Sequence, residues 1–411
     1  MIDFKKYTLD NGLTVLLHRD NSTPLITVNI LYKVGSKNED PSKTGFAHLF
    51  EHLMFGGSKF VPDYDIPIQE AGGDNNAFTN TDITNFYNIL PKENLETALW
   101  LESDRMLQLN INQRNLDIQK KVVVEEFYET SINQPYGNLW HKLSEEAFKV
   151  HPYKWPTIGA EVAHIEKAEL EDVQQFYDKN YLPNNAILVI TGNFDEVDAT
   201  AKVEKWFGGI PSGEVIQAQP SQEPAQSEFR QVVLKEKVPA DALFMAFHMP
   251  GRLHEDFAAY DVLSDILSGG RSSRFYQNLL KNEDIFSSVS AYITGSVDPG
   301  LFVIESKLVN GGNIDKARAL IWKELEALKV SMIDPVELQK VKNGLISSIS
   351  FSEVSIIHKA INLAYFEMLG DANLINQQEE EYVKISSEDL QRVAQTILLK
   401  ENCTEVVYQN S

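Results

Sequence analysis

The spacing of apolar residues changes period several times along this chain, and each change predicts the next element. Residues 7–17 carry two short apolar runs joined through Asn11-Gly12, a pair that accepts the positive φ of a tight turn, so they read as a hairpin. Residues 25–34 are β-branched and alternating and read as a third strand. A polar loop ending near Gly45 leads into an apolar helical run. Residues 71–79 and 84–90 read as two strands with a glycine-loosened entry at Gly72-Gly73. Apolar spacing of three and four predicts helices over 94–107 and 115–132. A strand at 186–191 closes at Gly192-Asn193, and Asp195 starts another helix.

From 211 to 226 the pattern dissolves. Pro211, Gly213, Pro220 and Pro224 stand among Ser, Gln and Ala, with no apolar period to bury. Beyond it the order of elements repeats: strands at 230–235 and 243–249, a helix from 255, strands near 289 and at 301–307, then helices at 314–328 and 335–351. The chain of 411 residues exceeds what one core usually supports. The expected division is 1–212, a linker at 213–227, and 228–411. The fold class is α+β: two homologous halves, each a mostly antiparallel sheet with helices packed on one face.

Composition narrows the chemistry. A formal net charge of −22 argues against nucleic acid, which needs basic patches for its phosphates. It suits either attraction of basic peptides or plain solubility. The single cysteine, Cys403, excludes a disulfide framework and any cysteine-rich metal site. The first residues hold no apolar core of signal-peptide length, and no run is long enough to span a bilayer. A cytoplasmic location is expected from the chain as written, or a periplasmic one if a signal has been removed.

The sharpest feature is His48-Leu49-Phe50-Glu51-His52. Residues four apart stand one turn apart on one helical face, so His48 and His52 can grip a single ion. Glu51 lies beside that face, placed to act on water held by the ion. This H-x-x-E-H order inverts the common zinc-protease motif and points to metal-assisted peptide hydrolysis. A catalytic zinc takes three protein ligands and leaves one position for water. The third donor has to come from elsewhere. The run Val122 to Glu129, three β-branched residues followed by acids, is the best region: it reads as a buried helix reaching a polar site.

With these residues the chain resembles the M16 metallopeptidases, the pitrilysin, insulysin and mitochondrial-processing-peptidase family. The resemblance spans nearly the whole chain. It includes His48 to His52, Gly72 to Thr79, Val122 to Glu126, Ile190 to Phe194, and Gly269 to Arg274. It implies a clamshell of two halves around a cavity and one zinc ion per chain on the first half. It implies His48, His52 and Glu126 as ligands and Glu51 as general base. Glu125 and Glu129 are the neighbouring acids that counting alone could select. Asn76, Ala77, Phe78 and Thr79 resemble the edge at which a substrate peptide adds as a strand. An acid that often precedes the third ligand by two turns in the family is here Gln119, which can hydrogen-bond a ligand but carries no charge.

One family feature is missing. The resemblance places an Arg and a Tyr, seven apart, in the second half; alignment puts them at Leu280 and Ser287, which cannot support an oxyanion. Either a homologous partner subunit supplies the pair, making a heterodimer, or Tyr276 or Tyr292 substitutes. The non-enzymatic alternative is a structural or partner subunit of such an assembly.

Overall fold

β3 (Leu25–Tyr32) is buried along its length after Leu25, with successive side chains packed on opposite faces at the centre of the first sheet. The computed structural model describes residues 1–215 and 220–411, so residues 216–219 of the expected linker lie outside the described residues. The other strands of this sheet are β1 (Lys5–Thr8), β2 (Thr14–Arg19), β4 (Asp74–Thr79), β5 (Thr84–Pro91) and β6 (Ala186–Gly192). Their order is β1-β2-β6-β3-β5-β4, antiparallel except for the β2–β6 pair. Ile26, Val28, Ile30 and Tyr32 pack on one face into the core built with helices Phe46–Leu53, Leu95–Leu107 and Glu196–Phe207. Leu31, with Leu16, Ile187 and Val189, points to the other face.

The second sheet holds β7 (Arg230–Glu236), β8 (Ala242–Met249), β9 (Phe286–Ile293), β10 (Gly300–Leu308) and β11 (Cys403–Asn410). Its order is β7-β11-β8-β10-β9, with one parallel pair, β7–β11. The expected mixed architecture of two similar sheets with helices is therefore present. Leu243, Met245 and Phe247 face helices Phe257–Ser268, Ile314–Val330 and Ser387–Ile397.

A further helix covers the second face of each sheet, beyond the one-faced layer expected from sequence. Both come from the opposite half of the chain. Helix Ile356–Met368 lays Ala360, Leu363 and Ala364 on Leu16, Leu31 and Val189. Lys359 pairs with Asp20 at 2.7 Å, and Thr191 Oγ1 donates to the Ile356 carbonyl at 2.6 Å. Helix Leu139–Ala147 packs Leu139 and Leu143 on Phe244, Val303 and Val406, and Arg230 donates to the Glu146 and Ala147 carbonyls at 2.9 Å. The compact units are therefore not the contiguous 1–212 and 228–411. One comprises Met1–Phe127, Trp155–Pro220 and Ser350–Gln377; the other comprises Tyr128–Lys154, Ser221–Ile349 and Gln378–Ser411. The reason is burial: each sheet is apolar on both faces, and a sheet face left in water forfeits that stabilisation.

Two local readings change. The helix expected over 115–132 runs Gln113–Phe127 and then widens into a π turn at Tyr128–Ile132. It is not buried along the Val run, since Val123 is fully covered and Val122 is exposed. The hairpin joins its strands through Leu9 to Leu13 rather than a two-residue turn. Asn11 is drawn away, donating to the Phe207 and Ile210 carbonyls at 2.8 and 2.9 Å.

Candidate metal centre

Helix Phe46–Leu53 owes its orientation to its apolar side. Phe46, Leu49, Phe50 and Leu53 are buried in the first core, and Phe50 stacks on Phe176 and Tyr181 with ring centroids 5.2 and 5.0 Å apart. His48 and His52 are left on the helix's half-buried side. Their Nε2 atoms lie 3.3 Å apart. Helix Gln113–Phe127 packs against this helix and brings Glu126 over both rings. Its Oε1 is 3.6 Å from His48 Nε2 and its Oε2 is 3.4 Å from His52 Nε2. Among the described residues these three form the one group of His, Cys or acidic side chains arranged to hold a metal ion. Glu125 and Glu129 are exposed and stand outside it.

The donor set fits zinc. Tetrahedral ligands with bonds of about 2.0–2.1 Å stand about 3.3 Å from one another, close to all three separations here. Burial, first, and the neighbouring His52 lower the pKa of His48, with Glu126 opposing; this favours the neutral ring that ligates a metal. The hydrogen bond from His52 holds Glu126 below the usual carboxylate range, against its burial. Nδ1 of His48 is buried without a hydrogen-bond partner among the described residues, so there this ring lacks the usual outer anchor.

Glu51, between the two histidines, makes no hydrogen bond or ion pair among the described residues, and its charge acts on His48. Gln119 lies two turns before Glu126 on the same helix and hydrogen-bonds neither imidazole. Asn76, Ala77, Phe78 and Thr79 lie on β4, which pairs with β5 alone and forms a sheet edge beside the motif helix. In the second unit, Leu280 packs against the core and the exposed Ser287 donates to the Lys307 carbonyl at 3.0 Å. Tyr292 is committed to Glu305 by its hydroxyl, and Arg274 to Glu337 by two hydrogen bonds of 3.0 and 2.8 Å.

Sequence reasoning missed Glu39. Its carboxylate accepts from the backbone N–H groups of Gly45 and Ala47, each at 2.8 Å, at the start of the motif helix. Burial pushes its carboxyl up to about 8, while those amides and the Trp155 indole oppose the shift. A signal was available: Gly45 cannot cap the helix with a side chain, and Glu39 is an acid six residues upstream.

A two-sheet protein with a His-His-Glu donor set on two helices of its first unit is the class defined so far. Residues 14–161 match the family description "Insulinase (Peptidase family M16)", and residues 167–345 match "Peptidase M16 inactive domain". The chain is 30% identical over 370 residues to the zinc protease PqqE of Helicobacter pylori, covering 89% of this chain and 80% of that one. It is 25% identical over 352 residues to the uncharacterized zinc protease YmxG of Bacillus subtilis, covering 85% and 84%. A solved protease from Helicobacter pylori superposes with a TM-score of 0.95 at 27% identity over the whole of both chains. The chain belongs to peptidase family M16. No helix among the described residues is long and apolar enough to cross a membrane.

Proposed function

We propose that this protein is a zinc-dependent endopeptidase that cleaves extended peptides or unfolded segments. The observation that carries this reading is the convergence of His48, His52 and Glu126 from two helices beside an uncommitted Glu51. His48 Nε2, His52 Nε2 and a Glu126 oxygen would hold one zinc ion. When bound, zinc supplies Lewis-acid polarisation of the scissile carbonyl and acidifies a water. Glu51 accepts the proton of the attacking water and returns it to the departing amine. The open edge of β4 would bind the substrate backbone through Asn76 to Thr79, giving recognition that depends little on side-chain identity.

Oxyanion support is absent where the family resemblance locates it, since Leu280 and Ser287 offer no Arg or Tyr. A homologous partner subunit supplying that pair accounts for the gap, and the active form is then a heterodimer. The opposing reading is a non-catalytic subunit. An unpaired Glu51 beside an assembled donor set favours the enzyme over it.

Glu51→Gln and His48→Ala test the reading in the full chain. Glu51→Gln should retain about one zinc per chain and lose peptide cleavage; His48→Ala should lose both. Full peptidase activity of the isolated wild-type chain would remove the partner from the account. A wild-type chain that binds no zinc and cleaves nothing, alone or with a homologue, would support the non-catalytic reading.

A further inference from the structure

The start of the motif helix is held by a side chain from outside it. Its N-cap, Gly45, has φ +90° and no side chain to offer the first-turn N–H groups. Packing forbids a replacement there: a Cβ on Gly45 would sit 2.8 Å from the Ile158 carbonyl oxygen and 2.9 Å from Ile165 Cδ1. The acceptor has to be brought in, and Glu39 brings it. Both of its oxygens are spent on the helix start, Oε2 on Gly45 N–H and Oε1 on Ala47 N–H.

Glu39 is only 6% exposed and makes no salt bridge among the described residues. A buried acidic group without a cation is a costly way to stabilise a fold. What it secures is specific. The helix is eight residues long, and Ala47 directly precedes His48. His48 is the third residue of that helix, so fraying of the first turn would move His48 away from His52. Phe46 packs the helix start into the core, and Phe50 and Leu53 hold it further along, but apolar contacts leave the first-turn N–H groups without an acceptor, which Glu39 supplies.

The position of Glu39 is itself fixed. Ser36 N–H and Lys37 N–H donate to the carbonyls of Asn80 and Thr81 at 3.1 and 3.0 Å, just past the end of β4. The Lys37 ammonium meets Asp82 at 2.7 Å. The Trp155 indole N–H donates to the Ser36 carbonyl at 3.0 Å. Residues 35–39 thus tie the end of the β4 edge to the first turn of the motif helix.

We infer that Glu39 is a positioning residue for the metal centre, which sets the placement of His48 by capping the helix that carries it. The inference rests on the zinc reading above. Its test is the zinc dissociation constant of the full chain, measured by competition with a chelator, together with the visible spectrum of the cobalt-loaded protein. Removal of a residue that orients a ligand typically weakens metal binding roughly 10- to 100-fold. Glu39→Gln, which puts an N–H donor against an amide N–H, should weaken zinc binding within that range and alter the cobalt bands. A folded Glu39→Gln with the wild-type constant and spectrum would overturn the inference. Should that variant not fold, Trp155→Phe decides. It leaves Glu39 in place but removes one support of its loop, and should weaken zinc binding several-fold, whereas an unchanged constant overturns the inference. Failure of the wild-type chain to bind zinc would be a different result, against the metal reading itself.

Discussion

Glu126 reaches both histidines of the motif, 3.6 Å from His48 Nε2 and 3.4 Å from His52 Nε2, from a helix whose neighbouring acids point to solvent. This separates Glu126 from Glu125 and Glu129, which sequence spacing alone leaves as competitors. Glu126→Gln should therefore abolish tight zinc binding, while Glu125→Gln and Glu129→Gln should retain one zinc per chain. Metal analysis after dialysis of the three variants checks this.

Zinc removal should also lower stability. A ligand that binds only the folded chain stabilises it by about 2.7 kcal/mol at a free concentration 100 times its dissociation constant. Chelator should lower the thermal midpoint of the wild type and leave His52→Ala unchanged. Scanning calorimetry with and without chelator separates the two.

The motif helix depends on Phe50, whose ring is sandwiched among Phe176, Tyr177 and Tyr181. Phe50→Ala should cost about 3–5 kcal/mol, the usual range for emptying a buried aromatic position. Urea unfolding of the metal-free proteins reads this without interference from zinc.

Helix Ile356–Met368 is fastened to the first sheet by Lys359 and Asp20. The Lys359 hydrogen bond, with help from Ser22, holds the Asp20 carboxyl well below the ordinary carboxylate range. Such a group stabilises the fold above its unfolded pKa of about 3.9, and that contribution is lost as pH falls through the lower folded value. Asp20→Asn should cost about 1 kcal/mol at pH 7. The gap between variant and wild type should narrow in strongly acidic solution, and urea unfolding at both pH values measures it.

Local chemistry was legible in the sequence; exchange across the chain was not. The pair His48 and His52 follows from helical spacing alone, β3 from apolar alternation, and β5, β6, β8 and β10 from short runs rich in apolar residues. The placements that needed distant partners were invisible. Nothing in the pattern of residues 356–368 names Leu16 and Leu31 as the bed of the helix they form. The exposure of Val122 depends on how helix Gln113–Phe127 packs against the motif helix. Glu39 read as a loop acid because its partners are backbone N–H groups, which leave no mark in side-chain pattern.

The most direct test of the metal centre is anomalous diffraction at the zinc edge from crystals of the zinc-loaded full chain. The account predicts one peak per chain, about 2.0–2.2 Å from His48 Nε2, His52 Nε2 and a Glu126 carboxylate oxygen. A peak elsewhere, or a bound zinc from which Glu126 is turned away, would contradict it.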